Sequence, residues 1–227
     1  SRVIQIHKVK DETKISEQIS PEKMNAKADK SPVRCLDRMA EKKMIDAIDK
    51  AKKEGDSLGG IFEVIASGLP YGLGSHTQWN KKLHARIAES MMSVNAFKGI
   101  EIGMGFLQAE KLGSHVHDEI GWDGNKYIRY SNNAGGIEGG MSNATPIIIR
   151  AVMKPIPTLI KPLRSVDIKT KKNQLAHKER TDSCSVPSAS IVAESMLCFV
   201  LVDALLEKFG GDSMDQLKAH IQASGKY

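Results

Sequence analysis

Cysteine is scarce. Cys35, Cys184 and Cys198 are the whole complement, none sits in a Cys-x-x-Cys, and three cannot all pair within one chain. That excludes a disulfide scaffold, and their spacing with the seven histidines matches no zinc pattern. The thiols read as reduced, which points to the cytoplasm. Aromatic residues are few as well, with four Tyr, five Phe and two Trp, so the stacking surface of a nucleic-acid binder is missing. The longest apolar stretch, Ile191 to Leu206, is interrupted by Glu194 and Asp203, which argues against a membrane span. No signal peptide is expected, and no short repeat is visible. A chain that is 41% hydrophobic and 26% charged is neither disordered nor collagenous. The balance of 33 Lys and Arg against 27 Asp and Glu leaves +6 at pH 7. That excess suits an anionic ligand, and a plain solvated face carries it equally well.

What is present alternates between helix and strand signals. A strand-like run, Val3 to His7, opens the chain directly, so the sequence reads as a fragment. The polar stretch Lys8 to Lys30 reads as a surface excursion or mobile loop. From Leu36 to Glu54, Met39, Met44, Ile45, Ile48 and Ala51 recur at helical spacing, and Gly55 stops the helix. Gly59 to Ser67 predicts a strand, closed by Gly68 and Pro70. Trp79 to Val94 predicts a second amphipathic helix along Leu83, Ile87, Met91 and Val94. Gly99 to Gly103, Lys126 to Tyr130 and Ile147 to Val152 are further strands, and Arg164 to Ile168 an edge strand. Pro187 to Phe209 predicts a helix apolar around nearly its whole circumference, hence buried between other layers. Met214 to Ala223 is a final amphipathic segment. Several strands lie close enough for antiparallel pairing, so the fold class is α+β in one domain.

Three segments carry possible chemistry. The first is Asn132-Asn133-Ala134-Gly135-Gly136-Ile137-Glu138-Gly139-Gly140-Met141-Ser142-Asn143. Its glycine pairs permit positive φ and a close approach of backbone N–H groups to an anion; a glycine-rich strand connection is the other reading. It has no Gly-Lys-Ser/Thr ending and no Gly-x-Gly-x-x-Gly fingerprint, which excludes the common nucleotide loops. The second is Met153-Lys154-Pro155-Ile156-Pro157-Thr158, stiffened by two prolines. A lysine at a strand end, beside the glycine loop, suits a phosphate or a flavin ring; alternatively it is a rigid exit with a solvated lysine. The third is Glu179-Arg180-Thr181-Asp182-Ser183-Cys184-Ser185-Val186-Pro187, just before the apolar helix, where the dipole favours anions. Capping by Ser183 or Ser185 explains the serines but not the Arg-x-Asp pair. His115 and His117 would face one side of a strand beside Asp118 and Glu119, but spacing supplies no third metal ligand. Lys169, Lys171, Lys172 and Lys178 read as a solvated loop, and the methionines as core fillers.

Taken in order, these segments resemble chorismate synthase over nearly the whole chain. The match includes Ser31-Pro32-Val33-Arg34-Cys35 and Lys52-Lys53-Glu54-Gly55-Asp56-Ser57-Leu58-Gly59-Gly60. It continues with Gly68-Leu69-Pro70, Gly72-Leu73-Gly74 and Val94-Asn95-Ala96-Phe97-Lys98-Gly99-Ile100-Glu101-Ile102-Gly103, then the three segments above. The resemblance implies a lyase of the shikimate pathway that eliminates phosphate from 5-enolpyruvylshikimate 3-phosphate to give chorismate. It implies reduced FMN as cofactor, NADP through the flavin reductase activity of some members, a helical core packed between antiparallel β-sheets, and a homotetramer. No nucleic acid and no membrane is expected as a partner. Carried over by position, FMN contacts fall at Asn95, Ala96, Gly139, Lys154, Pro155, Ile156, Pro157, Thr158 and Arg180. Asp182 resembles the aspartate near the flavin that assists proton removal. No metal is implied.

Two departures stand out. Many members have Gly where Glu179 precedes Arg180. The family's N-terminal portion, with one histidine in a Gly-x-Ser-His-Gly-like stretch, a second histidine and arginine-rich segments, has no counterpart; His76, in Gly74-Ser75-His76-Thr77, is not a match. Residues 1–227 are therefore expected to form the C-terminal part of the family fold, to expose apolar surface, and to lack activity alone. The rival readings are a non-catalytic flavin- or anion-binding module and, more weakly, a basic nucleic-acid-binding domain.

Overall fold

The computed structural model describes residues 1–15, 20–179 and 182–224. Its centre is a five-stranded antiparallel sheet, β2 (Val9–Lys10), β1 (Arg2–Ile6), β3 (Gly60–Ala66), β9 (Ile147–Met153) and β4 (Phe97–Ile102) in that order. Alternation along β9 sets its two faces: Ile147, Ile149, Ala151 and Met153 are buried, while Ile148, Arg150 and Val152 face the less covered side. On the buried face, Val3, Phe62, Val64 and Ile149 pack against α3 (Leu83–Ser93) and α4 (Val186–Phe209) through Ile87, Met91, Ala193 and Leu197. The Phe62 and Phe97 rings meet at 5.0 Å and 52° at one end of this layer.

Local chemistry explains the helix ends. The Asp37 side chain accepts the Met39 N–H ahead of α2 (Arg38–Glu54), and Gly55 closes it with φ 71. The expected stripe holds at Met44, fully buried, but Met39 is 67% exposed because it lies in the first turn, beyond the packed face. The segment Trp79 to Val94 divides into a 3₁₀ turn, Trp79–Lys81, and α3. At the other end of the chain lies α5 (Met214–Ala223), as its periodicity predicts.

The structure corrects the reading of Lys8 to Lys30 as a loop. It contains β2 and α1 (Pro21–Ala28), the latter opened by the Ser20 cap and Pro21, with Met24 and Ala28 buried. Two small apolar contacts four residues apart suffice to dock a helix but do not register in composition. Residues 16–19 lie outside the described residues. Three two-stranded ribbons surround the sheet: β5 (Ile120–Trp122) with β6 (Tyr127–Arg129), β7 (Ile137–Glu138) with β8 (Met141–Ser142), and β10 (Arg164–Val166) with β11 (Asn173–Leu175). The predicted edge strand is thus half of a ribbon. The class is α+β with antiparallel sheets.

The reading of α4 as buried on all sides also needs correction. Val186, Ala189, Ala193, Leu197, Leu201 and Ala204 form one buried stripe, while Phe199 is 74%, Val202 52% and Leu206 45% exposed. Hydrophobicity around a helix says what each side tolerates, not how many neighbours are there to cover it. By length and composition α4 is apolar enough to cross a membrane. Its stripe packs on β3 and β1 instead, and Asp203 and Glu207 on it pair with Arg86 of α3.

Two phenylalanines therefore predict opposite outcomes. Phe62→Ala, at a fully buried position, should cost about 3–5 kcal/mol in denaturant unfolding. Phe199→Ser should change stability by no more than about 0.5 kcal/mol while reducing self-association measured by light scattering.

Candidate functional site

At one end of the central sheet, four segments meet. Strand β9 runs out into Lys154–Thr158 beside the turn that feeds β4. Phe97 pairs with Met153, and the Lys154 N–H donates to the Ala96 carbonyl at 2.9 Å. Ala96 has φ 69, a left-handed conformation that costs a non-glycine residue energy and marks a constrained turn. Beneath, the chain entering β3 lies so close that a Cβ on Gly59 would stand 2.4 Å from the Met153 carbonyl oxygen and 2.9 Å from Pro155 Cδ. Only glycine fits there. The Ser57 hydroxyl donates to the Ile156 carbonyl at 2.6 Å, so the proline segment is tied down at both halves. The Leu58 N–H in turn donates to the Ser183 carbonyl at 2.7 Å, and Leu58 bridges Cys184. This brings the segment before α4 to the same corner.

Asn95, Lys154, Pro155, Pro157 and Asp182 are exposed here, and Ala96, Ile156 and Thr158 half-buried. The corner offers an ammonium, an amide and a hydroxyl to solvent on backbone held from below. That donor set fits an anionic, planar cofactor such as FMN: Lys154 and Thr158 for its phosphate or ring oxygens, Asn95 for a polar edge. Arg180 falls outside the described residues. Ser185 is the N-cap of α4 but makes no side-chain capping bond, so capping does not account for this serine. Burial raises the Cys184 thiol. Burial, followed by the charge of Asp11, pushes Cys35 up to about 12. Neither is a ready thiolate at neutral pH.

Gly139 is not at this corner. It sits in the β7–β8 turn, whose Gly140 carbonyl accepts the Leu83 N–H at the start of α3, whereas Asn95 follows the end of α3. Eleven helical residues, about 16 Å, lie between them. The glycine loop enters the beginning of β9, and Lys154 leaves its end, so the lysine is not beside the loop as sequence order suggested. Most of the loop's glycines serve close packing. A Cβ on Gly135 would lie 2.3 Å from the Gly103 nitrogen, on Gly136 2.6 Å from the Pro146 carbonyl and on Gly140 2.5 Å from the Ser75 carbonyl, while one on Gly103, which faces the loop, would lie 2.1 Å from the Asn133 carbonyl. Gly139, with φ 59, has open space around its Cβ position.

Asp118, named from the sequence only as a neighbour of the histidine pair, turns out to hold the glycine loop. Its carboxylate accepts the Ser131 hydroxyl at 2.5 Å and the N–H groups of Asn133 at 2.7 Å and Ala134 at 2.9 Å. Asn132 continues the clamp, donating to the Pro146 carbonyl and accepting from Gly136 N–H and the Thr145 hydroxyl. An acid separated from its loop by 13 or more positions leaves no local pattern to find. His115 and His117 are not on a strand. A 3₁₀ turn, Gly113–His115, holds the first, both are exposed, and no metal-ligand cluster exists among the described residues.

Partial burial of Asp118 would raise its pKa, but the bonds from Ser131, Ala134 and Asn133 outweigh it and hold the group below the ordinary 3.8. Its stabilising effect is then complete above that value and is lost as pH falls through the lower folded value. Asp118→Ala should cost about 1–2 kcal/mol at pH 7. The difference should shrink in acid when unfolding is compared between pH 7 and pH 2.

The chorismate synthase family profile matches residues 1–206. A Bacillus cereus protein named chorismate synthase 2 is 55% identical over 210 residues, which are 92% of this chain and 54% of that protein. A Listeria welshimeri chorismate synthase is 57% identical over 195 residues, 85% of this chain and 50% of its own length. A solved structure described as a crystal structure of chorismate synthase superposes with a TM-score of 0.81 at 42% identity, covering 98% of this chain and 61% of that one. The chain spans about half the length of the curated relatives it matches. Through a family match over most of its residues and a shared fold, the chain belongs to the chorismate synthase family.

Proposed function

We propose that this chain supplies the C-terminal, flavin-holding part of an enzyme that eliminates phosphate from 5-enolpyruvylshikimate 3-phosphate to give chorismate. The observation that carries this reading is the sheet-end corner where the Lys154 N–H bonds the Ala96 carbonyl. There, two segments far apart in sequence, both expected to contact FMN, form one rigid unit with an open lysine. Lys154, Thr158 and Asn95 hold the phosphate and polar edge of FMN, and Pro155, Ile156 and Pro157 line the ring with stiff backbone. Arg180 completes the set by family position. Gly139, at the far end of the sheet, stays outside it within one chain.

The substrate carries a phosphate and two carboxylates, so binding needs cations, of which this corner provides Lys154. Elimination removes a proton and phosphate and forms a double bond, with no net oxidation. Reduced FMN supplies electron density on demand and recovers it. Asp182, exposed on the segment before α4, accepts or relays the proton. The surrounding backbone contributes fixed dipoles and, once closed over substrate, excludes water. The enzyme works in the cytoplasm as a homotetramer, and the three free cysteines suit that compartment.

Titration of the chain with reduced FMN under anaerobic conditions tests the corner. Lys154→Met should weaken binding about tenfold, and an unchanged affinity rejects the assignment. The chain alone should form no measurable chorismate, since each missing acid–base group costs about 10²–10⁴-fold; turnover comparable to a relative's would reject the half-enzyme reading. In a protein of the relatives' full length, Asp182→Asn should keep FMN affinity and lower kcat. Equal kcat would make Asp182 structural.

A further inference from the structure

The face of the sheet turned away from α3 and α4 holds a cavity of about 600 Å³, within the size range of small-molecule sites. Ile4, Ile65 and Ile148 form its floor, and Met24 of α1 closes one side. Across the floor runs a row of charge set by strand register: Arg2 stands opposite Glu63, and Glu63 opposite Arg150. Arg2 Nε donates to Glu63 Oε1 at 3.0 Å and Arg150 Nε to Oε2 at 3.0 Å.

The hydrogen-bonding groups of this wall are unequally used. Its inner acceptors are occupied. Both Glu63 oxygens are taken by the arginines, and the buried Asp11 carboxylate accepts from the N–H groups of Thr13, Leu36 and Asp37. Its donors are not. Arg150 gives Nε to Glu63 and Nη1 to the Gly103 carbonyl, which leaves Nη2 without a hydrogen bond among the described residues, on a side chain 31% exposed. The side chains of Lys14 and Ser67 line the same cavity, exposed, and neither has a hydrogen-bond partner among the described residues. Glu12, exposed on the wall, balances Lys14. Among the described residues the lining is therefore neutral overall, with free donors at one side and apolar at the other.

We propose that this cavity binds a small organic acid, with its apolar body on the isoleucine floor and its single carboxylate on Arg150 Nη2, assisted by Lys14 and Ser67. A monocarboxylate fits better than a dianion, because a neutral wall with one pre-oriented guanidinium donor cannot offset a second charge. The two bonds that anchor Arg150 fix its direction before a ligand arrives, which lowers the ordering cost of binding.

The test uses the full chain with labelled isoleucine methyl groups, titrated with hexanoate, hexan-1-ol and hexylamine and followed by NMR. Hexanoate should move the methyls of Ile4, Ile65 and Ile148 saturably, leave Ile147 and Ile149 on the opposite face unmoved, and bind more tightly than hexylamine. Arg150→Met should weaken hexanoate by about ten- to a hundredfold and leave hexan-1-ol unchanged. Absence of shifts at the three floor methyls, or equal hexanoate affinity in Arg150→Met, overturns the proposal. Should Arg150→Met fail to fold, Lys14→Gln at its exposed site replaces it. A two- to fivefold weakening, about the worth of an exposed charge, supports the proposal, and none rejects it.

Discussion

Strand β9 is hydrogen-bonded along both edges, to β3 on one side and β4 on the other, and everything of functional interest is arranged by that double pairing. A strand held on both sides cannot slip without turning each side chain to the wrong face. Its two ends are consequently fixed relative to each other, about 20 Å apart. The glycine loop enters at one end and the proline segment leaves at the other. The position of Lys154 against Ala96 and the distance of Gly139 from both follow from this one constraint.

The same register governs the polar side of the sheet. Arg2, Glu63 and Arg150 fall opposite one another because their strands pair where they do, and the cost of burying the first two and half-burying the third is offset only when each is matched by a neighbour. Side chains so matched have few rotamers left. That is why an ion row in the middle of an apolar surface gives a shaped cavity with directed donors instead of a solvated patch. On the opposite face, aliphatic residues from the same strands meet α3 and α4. One period-two pattern thereby makes both the core and the cavity.

Two clamps stiffen the regions beyond the sheet. Ser57 and Gly59 hold the proline segment by one hydrogen bond and one approach too close for any side chain. Asp118 and Asn132 hold the glycine loop through side-chain bonds to its backbone. In both cases the stabilised element is an irregular segment without a ladder of its own, so polar contacts and glycine geometry fix its backbone.

Much of this was present in the sequence. The ends of α2 are written in Asp37 and Gly55, the span of α5 in its periodicity, and strands β3, β4 and β9 in short apolar runs between turn residues, because capping and alternation are local effects. The family motifs likewise pointed to Asn95, Ala96 and Lys154 as one group. The three-residue strands β5 and β11 carry too few residues for a pattern, and their pairing depends on partners across a turn. How far α4 is covered depends on which layers surround it. Whether a glycine serves a ligand or a close backbone contact is decided by what lies opposite, as Gly103 and Gly135 show by facing each other. Composition and spacing determined which residues could act; the register of β9 decided which of them meet, since only hydrogen-bonded strands convert sequence separation into a fixed distance.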